Sequence, residues 1–265
     1  MTFFTQLSSD SLLFVIVLAI IQGVTEFLPI SSSGHLLIFS DLLGHPLESL
    51  ELSIALHVGS LTAIVVYYRR QLAALALEER RTVISLVVAS VPAVIFGAVA
   101  YFALDNLLED ARVAAALLPV TALVLISTRW MVPGCRVYQA LTWSEALRIG
   151  VWQAVAILPG LSRSGMTIAG GLRERLEPRS AAAFSFLMAI PAIVGAGLLA
   201  GYSAWKNGGT QWPVGKLACG LAVSCLTGLV ALRVLERHLQ RRKLGYYAIW
   251  CLAVSAIFWL VKQVG

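Results

Sequence analysis

The stretch that decides the fold is Gln22-Gly-Val-Thr-Glu-Phe-Leu-Pro-Ile-Ser-Ser-Ser-Gly-His35, which follows eleven uncharged residues, SLLFVIVLAII, at positions 11–21. A second short apolar run, LLIFSDLLG, comes directly after it. Each apolar half is roughly 10–15 residues, about 15–20 Å as a helix at 1.5 Å per residue, and so reaches only part way across a bilayer. Pro29, Gly34 and three serines mark the break. The pattern predicts a re-entrant helix-loop-helix hairpin over 11–44. The same pattern recurs where Ala146–Leu158 runs into PGLSRSGMT (159–167) and then IAGGL, which predicts a second hairpin over 146–176.

The rest of the chain sets these hairpins in a membrane. Of 265 residues, 58% are hydrophobic and only 13% charged, and the mean hydropathy is +0.82. A soluble domain carries about a quarter charged residues, so that class is excluded. Six runs are long enough to cross about 30 Å of hydrocarbon, near 52–70, 82–104, 112–131, 180–203, 214–235 and 245–264. The expected fold is an all-α polytopic membrane protein with six transmembrane helices and two re-entrant hairpins. The first 30 residues lack a basic start and an A-x-A-like cleavage site, so they read as part of the mature fold rather than a signal peptide. Cys135, Cys219, Cys225 and Cys251 show no metal-ligand spacing and read as small packing residues.

The net charge of +6 is a topology signal rather than a nucleic-acid footprint. Fifteen of the 20 Lys and Arg residues fall in segments that this layout sends to one face: Arg69, Arg70, Arg80, Arg81, Arg129, Arg136, Arg148, Arg173, Arg175, Arg179, Arg233, Arg237, Arg241, Arg242 and Lys243. Only Arg112, Lys206, Lys216 and Lys262 fall on the other. The positive-inside rule then places both termini outside. The remaining cation, Arg163, lies in the middle of the second hairpin.

Aligning the hairpins reveals a repeat with an offset of 131 residues. Gln22 pairs with Gln153, Ile30 with Leu161, Ser31 with Ser162, Ser33 with Ser164, and Gly34 with Gly165. The two units run over about 8–131 and 142–265 within a single integral membrane domain. Each holds one hairpin and three spans, and three is odd, so the second enters from the opposite face. Such an inverted-topology repeat brings its broken helices together inside the membrane.

Few ionisable groups remain at membrane depth: Glu26, His35, Arg163 and His57. Charges there are costly and by default mark function. Gln22 and Glu26 stand four apart and share one helix face. Ser31-Ser32-Ser33-Gly34 and Ser162-Arg163-Ser164-Gly165 are helix-start signals, and two half-helix N-termini beside an arginine fork suit a phosphate or carboxylate. Thr167 adds a hydroxyl. Each part also has a plainer reading: serines that only cap, a Glu26 that only pairs Arg163, and a His57 that only packs against its helix. His45 and His238 read as solvated loop residues.

These residues carry a resemblance. QGVTEFLPISSSGH resembles the (E/Q)xxxE plus PxSSxGH signature of the undecaprenyl-pyrophosphate phosphatases, the bacitracin-resistance protein family, and PGLSRSGMT resembles that family's PGxSRSGxT motif. The resemblance covers essentially the whole chain. It implies hydrolysis of undecaprenyl pyrophosphate to undecaprenyl phosphate and inorganic phosphate, which recycles the carrier lipid of cell-envelope synthesis and confers bacitracin resistance. It also implies a multi-pass protein of the bacterial inner membrane with its active site facing the periplasm or cell exterior. Undecaprenyl pyrophosphate and membrane lipid would be its partners, with no nucleic acid and with a homodimer as the candidate assembly. Carried over residue by residue, it nominates Glu26, Ser32, His35 and Arg163 as catalytic, with Gln22, Ser31, Ser33, Gly34, Ser162, Ser164, Gly165 and Thr167 around the substrate. Gln22 stands at the variable E/Q position, so a divalent cation (Mg2+ or Ca2+) would have Glu26 as its carboxylate.

In this reading Ser32 is the nucleophile, His35 its base or the proton donor to the leaving group, and Glu26 the residue that orients His35 or holds the cation. Direct attack by water stays open as an alternative. The rival function is a lipid-phosphate flippase or secondary transporter, because inverted repeats with broken helices are transporter architecture. A phosphatidic-acid-type phosphatase shares Ser33-Gly34-His35 but needs an Arg-Pro element, and the chain contains no Arg-Pro dipeptide.

Overall fold

In a computed structural model, the structure describes residues 11–43, 50–132, 134–206 and 212–264. His45 and the outermost residues of the two repeat units lie outside them. The helices are α1 (Leu12–Thr25), α2 (Ser32–Leu43), α3 (Leu50–Tyr67), α4 (Arg69–Leu77), α5 (Arg80–Ala103), α6 (Asp105–Leu108), α7 (Ala111–Ser127), α8 (Trp143–Val155), α9 (Arg163–Arg173), α10 (Pro178–Lys206), α11 (Val214–Gln240) and α12 (Gly245–Val264). Among the described residues there is no strand, only an isolated bridge between Arg136 and Leu176.

Both hairpins form, and local chemistry sets their ends. Ser11 caps α1 by accepting from the Phe14 N–H at 3.1 Å. The helix stops at Glu26 because Pro29 has no N–H to continue it and restricts Leu28 before it. Thr142 and Glu145 form a reciprocal capping box at the start of α8, three residues ahead of the expected boundary at Ala146. Ser162 caps α9 by accepting from the Gly165 N–H at 3.2 Å. Gly160 turns the tip of this hairpin with φ +88°, and a Cβ there would overlap the Ala114 carbonyl of α7. Thr121 of α7 pins the same tip, donating to the Gly160 carbonyl at 2.8 Å and accepting from the Ser162 N–H at 3.0 Å.

Among the described residues five helices are long and apolar enough to cross a membrane, and α3 with α4 makes a sixth if that bent pair is one span. The expected span 52–70 is therefore not one straight helix. It breaks at Tyr68, and α4 leaves at 73° carrying Arg69 and Arg70. The other five spans match their expected positions to within a few residues.

Packing follows an exchange of the two halves. Hairpin helix α1 packs on α11 of the second half, and α8 packs on α5 of the first; α3 meets α10, and α7 meets α12. Small residues permit the close approaches: Gly23 against Ser224 and Thr227 of α11, and Gly150 against the Ala89 carbonyl of α5. Membrane helices associate through such contacts because lipid offers no hydrophobic penalty to drive them together.

The loops gather at two ends. At one, Tyr67 donates to Glu236 at 2.9 Å, Gln139 to Glu79 at 3.1 Å, Arg136 pairs with Glu145 at 2.8 Å and Arg148 with Glu174 at 2.7 Å. At the other, Lys262 pairs with Asp41 at 2.8 Å. The segments holding the fifteen basic residues thus share one end. The Arg136 guanidinium and the Thr142 N–H and hydroxyl hold the Glu145 carboxyl down at about 2. His238 is not a free loop residue: it sits in the last turn of α11, with Nδ1 2.7 Å from the Tyr247 hydroxyl.

Candidate active site

The two hairpin tips meet inside the bundle. Gly34 at the start of α2 faces Gly160, and a Cβ on Gly34 would come within 2.9 Å of the Gly160 Cα. Ser164 reaches back to the Leu28 carbonyl at 3.4 Å. Only small residues allow two turns to sit this close.

Four of the expected residues converge across that contact. Glu26 ends α1, four residues after Gln22, and its Oε2 accepts from Gln22 Nε2 at 3.2 Å and from the Ser32 hydroxyl at 2.9 Å. Its Oε1 pairs with Arg163 Nη2 at 2.5 Å. The pair is largely buried, with side-chain exposures of 9% and 19%. A lone charge at this depth would be prohibitive, and joining one from each hairpin removes most of that cost. The pair therefore locks the two hairpins together.

Two polar atoms beside the pair have no partner. Gln22 Oε1 and Arg163 Nη1 are both fully buried and unbonded. Leaving a buried polar group unsatisfied costs about 1–3 kcal/mol, and more for a charged one. One donor and one acceptor are thus left over beside the pair, and the donor is one that an anion would satisfy. Ser32 and Arg163, both bonded to Glu26, are the first residues of α2 and α9, and helix starts favour anions.

The remaining nominated residues divide. Ser31 and Ser162 are buried caps, whose hydroxyls accept from the Gly34 N–H at 3.3 Å and the Gly165 N–H at 3.2 Å. Ser31 adopts the left-handed region at φ 70°, which costs a non-glycine residue about 1–2 kcal/mol. Ser164 is buried against Ser162 at 3.3 Å. Ser33 is exposed and makes no hydrogen bond within the cluster. Thr167 turns away from it, bonding its own helix at the Arg163 carbonyl (2.8 Å) and Ser185 of α10 (2.6 Å), so its hydroxyl fastens α9 to α10.

His35 departs furthest from expectation. It forms no hydrogen bond with Ser32 or Glu26. Its Nδ1 lies 2.7 Å from the Ser31 carbonyl, and its Nε2 accepts from the Trp250 indole N–H at 2.8 Å. Glu26, for its part, is bonded to Gln22, Ser32 and Arg163, so it does not orient His35. The hydroxyl of Ser32 points at a carboxylate instead of an imidazole. His57 of α3 bonds the Ser53 carbonyl through Nδ1 at 2.8 Å and lies within electrostatic reach of the Glu26 carboxylate.

Among the described residues no three His, Cys, Asp or Glu side chains group as a metal cage. A magnesium-type cation needs none: it commonly takes one or two carboxylates and completes its shell from water and substrate phosphate. Glu26 with the unpartnered Gln22 Oε1 fits that description.

Residues 15–257 match the family model described as bacitracin resistance protein BacA. The chain belongs to this family. Its relatives are similar from end to end. An undecaprenyl-diphosphatase of Rhodopirellula baltica is 40% identical over 254 residues, covering 96% of this chain and 99% of the relative. An undecaprenyl-diphosphatase of Alcanivorax borkumensis is 38% identical over 264 residues, covering 92% and 97%. One from a Thermotoga species is 36% identical over 250 residues, covering 93% and 99%. The part of this BacA-family chain that matches the family model holds both hairpin tips and Trp250.

Three contributors escaped the sequence reading: Thr121, Ser185 and Trp250. Hydroxyls and indoles are ordinary in membrane helices, and their spacing gives no sign of what they touch.

Proposed function

We propose that this protein hydrolyses undecaprenyl pyrophosphate to undecaprenyl phosphate and inorganic phosphate, with Glu26, Ser32 and Arg163 as its catalytic residues. The observation that carries the site assignment is the chain Ser32–Glu26–Arg163, in which a hydroxyl donates to a carboxylate that is itself paired with the cation of the opposite hairpin.

The geometry supports the following sequence. The terminal phosphoryl group sits between the starts of α2 and α9, where Arg163 Nη1 and main-chain N–H groups meet its oxygens as charge builds on them. Glu26 takes the Ser32 proton as Oγ bonds to phosphorus and the bridging P–O bond breaks. Undecaprenyl phosphate leaves, and the Glu26 carboxyl supplies the proton its new oxygen requires. Water, deprotonated by Glu26, then attacks the phosphoserine; the Oγ–P bond breaks, Ser32 Oγ takes its proton back from Glu26, and inorganic phosphate departs. A divalent cation held by Glu26 and Gln22 would supply charge neutralisation on the pyrophosphate.

The isoprenoid tail leaves the polar pocket through an apolar surface. A groove of about 320 Å³ lined by Val24, Leu28, Leu226, Val230 and Val234 runs beside the turn that follows Glu26. It is suited to the first isoprene units.

The two units over 8–131 and 142–265 form an inverted repeat in this reading, which the exchanged packing of α1 on α11 and α8 on α5 supports. The basic end faces the cytoplasm of a bacterial inner membrane, and hairpin one opens to the exterior.

The test is phosphate release from undecaprenyl pyrophosphate by purified protein in detergent, where no gradient exists. Release by wild type and its loss in Ser32→Ala support a covalent phosphatase. Near-full activity in Ser32→Ala would leave direct attack by water, and no release by folded wild type would favour lipid transport.

A further inference from the structure

Ser31 precedes Ser32 and holds a backbone conformation that a serine adopts only when its surroundings impose it. Those surroundings are visible. Its Oγ is tied to the Gly34 N–H, and its carbonyl is tied to His35 Nδ1. A carbonyl only accepts, so Nδ1 carries the ring proton. The indole N–H of Trp250 only donates, so His35 Nε2 is bare. Two partners on opposite sides of the ring thus specify the same neutral tautomer.

The arrangement is a directed hydrogen bond and not a loose aromatic contact. The His35 and Trp250 ring planes are parallel to within 7° with centroids 6.2 Å apart, an arrangement compatible with an in-plane N–H···N bond. His35 is 1% exposed, whereas Trp250 is 51% exposed on α12. Its neighbour Cys251 is buried against the same hairpin, with Sγ 4.0 Å from the Pro29 carbonyl. A half-exposed tryptophan on a membrane helix is ordinarily an interfacial anchor. This one spends its only donor on a buried imidazole.

We propose that Trp250 is a positioning residue for the reaction: through His35 it holds the Ser31 backbone and so aims the Ser32 hydroxyl at Glu26. The proposal rests on the phosphatase reading above. It gives His35 the work of a strut. With one nitrogen bonded to main chain and the other occupied by indole, His35 is not the group that takes the Ser32 proton. It also makes Trp250 the second contribution of the C-terminal half, after Arg163, to chemistry carried by the first hairpin.

The experiment reads tautomer and kinetics separately. Protein labelled with ¹⁵N-histidine has four histidine rings to assign, and the two ring-nitrogen signals of His35 are identified by their loss in His35→Gln. At pH 7 the wild-type ring is expected to carry its proton on Nδ1 alone. In Trp250→Phe, which keeps a ring but has no donor, the Nδ1 proton should stay on the Ser31 carbonyl while the Nε2 signal moves towards that of an unbonded acceptor. The kcat for phosphate release should fall about ten- to a hundredfold with KM little changed, the signature of a misaimed reacting group. Trp259→Phe, on the same helix, should leave both readouts as in wild type.

A Trp250→Phe protein with wild-type kcat would overturn the proposal, as would a lower kcat with the His35 Nε2 signal unmoved. If Trp250→Phe does not fold, the wild-type spectrum still decides, since a proton on Nε2 or on both nitrogens contradicts the bonding argued here. The spectrum needs no substrate, so an inactive wild type would count against the phosphatase reading alone.

Discussion

At positions 131 residues apart, one hairpin holds a reactive group where the other holds a different or inert one. Glu26 stands against Ile157, His35 against Met166, and Ser32 against Arg163, while Gln22 and Gln153, Ser31 and Ser162, and Gly34 and Gly165 are unchanged. The shared residues build the helix break and the close approach of the tips. In the proposed mechanism the divergent ones carry the chemistry. Two identical hairpins would set like against like, two carboxylates or two guanidinium groups repelling each other in a medium of low dielectric. Divergence instead sets a carboxylate and a serine on one side and a cation on the other, which attract and leave Arg163 Nη1 unpartnered. Backbone strain follows the same division: Ser31, beside the proposed nucleophile, is left-handed at φ 70°, whereas Ser162 has an ordinary φ of −75°.

The comparison breaks most severely at Glu26. Glu26→Gln keeps the shape but removes the base and the charge facing Arg163, and kcat should fall by about 10²–10⁴; phosphate release measures it. Loss smaller than tenfold would give the base to another group. Gly34→Ala comes next. Its methyl would press on Gly160, so the tips must part, which should destabilise the protein by about 1–3 kcal/mol and lower activity; thermal unfolding in detergent reports the first and phosphate release the second.

The two glutamines offer a sharper contrast. Gln153 is buried with neither amide atom bonded, and no carboxylate stands one turn on. Gln153→Leu should therefore keep activity and gain up to about 1–3 kcal/mol by removing an unsatisfied amide, whereas Gln22→Leu should lower activity. Equal losses in both would show that the second hairpin also binds substrate. The smallest effect concerns Glu145 at the mouth of hairpin two. Its folded-state pKa of about 2 lies below the ordinary 4.5, so its contribution to stability is present above about 4.5 and is lost as pH falls towards 2. The melting temperature of Glu145→Gln should converge on that of wild type across this window.

Much of this plan is legible in the chain. Hydropathy marks the spans because lipid tolerates few charges, and the hairpins show as apolar runs too short to cross with Pro29 or Gly160 at the break. Glu26 and Arg163 stand out for the same reason, since a charge at that depth needs a partner. The bend at Tyr68 is hidden because α4 continues with helix-forming residues across Tyr68. The orientations of His35 and Thr167 are hidden because each is decided by a distant residue, Trp250 or Ser185, whose type carries no signal of its own. Sequence shows which groups lie at membrane depth; the partners in space decide which of them face one another.

The most direct test is phosphate release from undecaprenyl pyrophosphate by purified Arg163→Ala beside wild type, with and without EDTA. If the site is built across both hairpins, the variant loses about 10²–10³ in kcat while remaining folded. Wild-type turnover in folded Arg163→Ala would mean that the second hairpin is scaffold only, and the account of a site made by two diverged halves would be wrong.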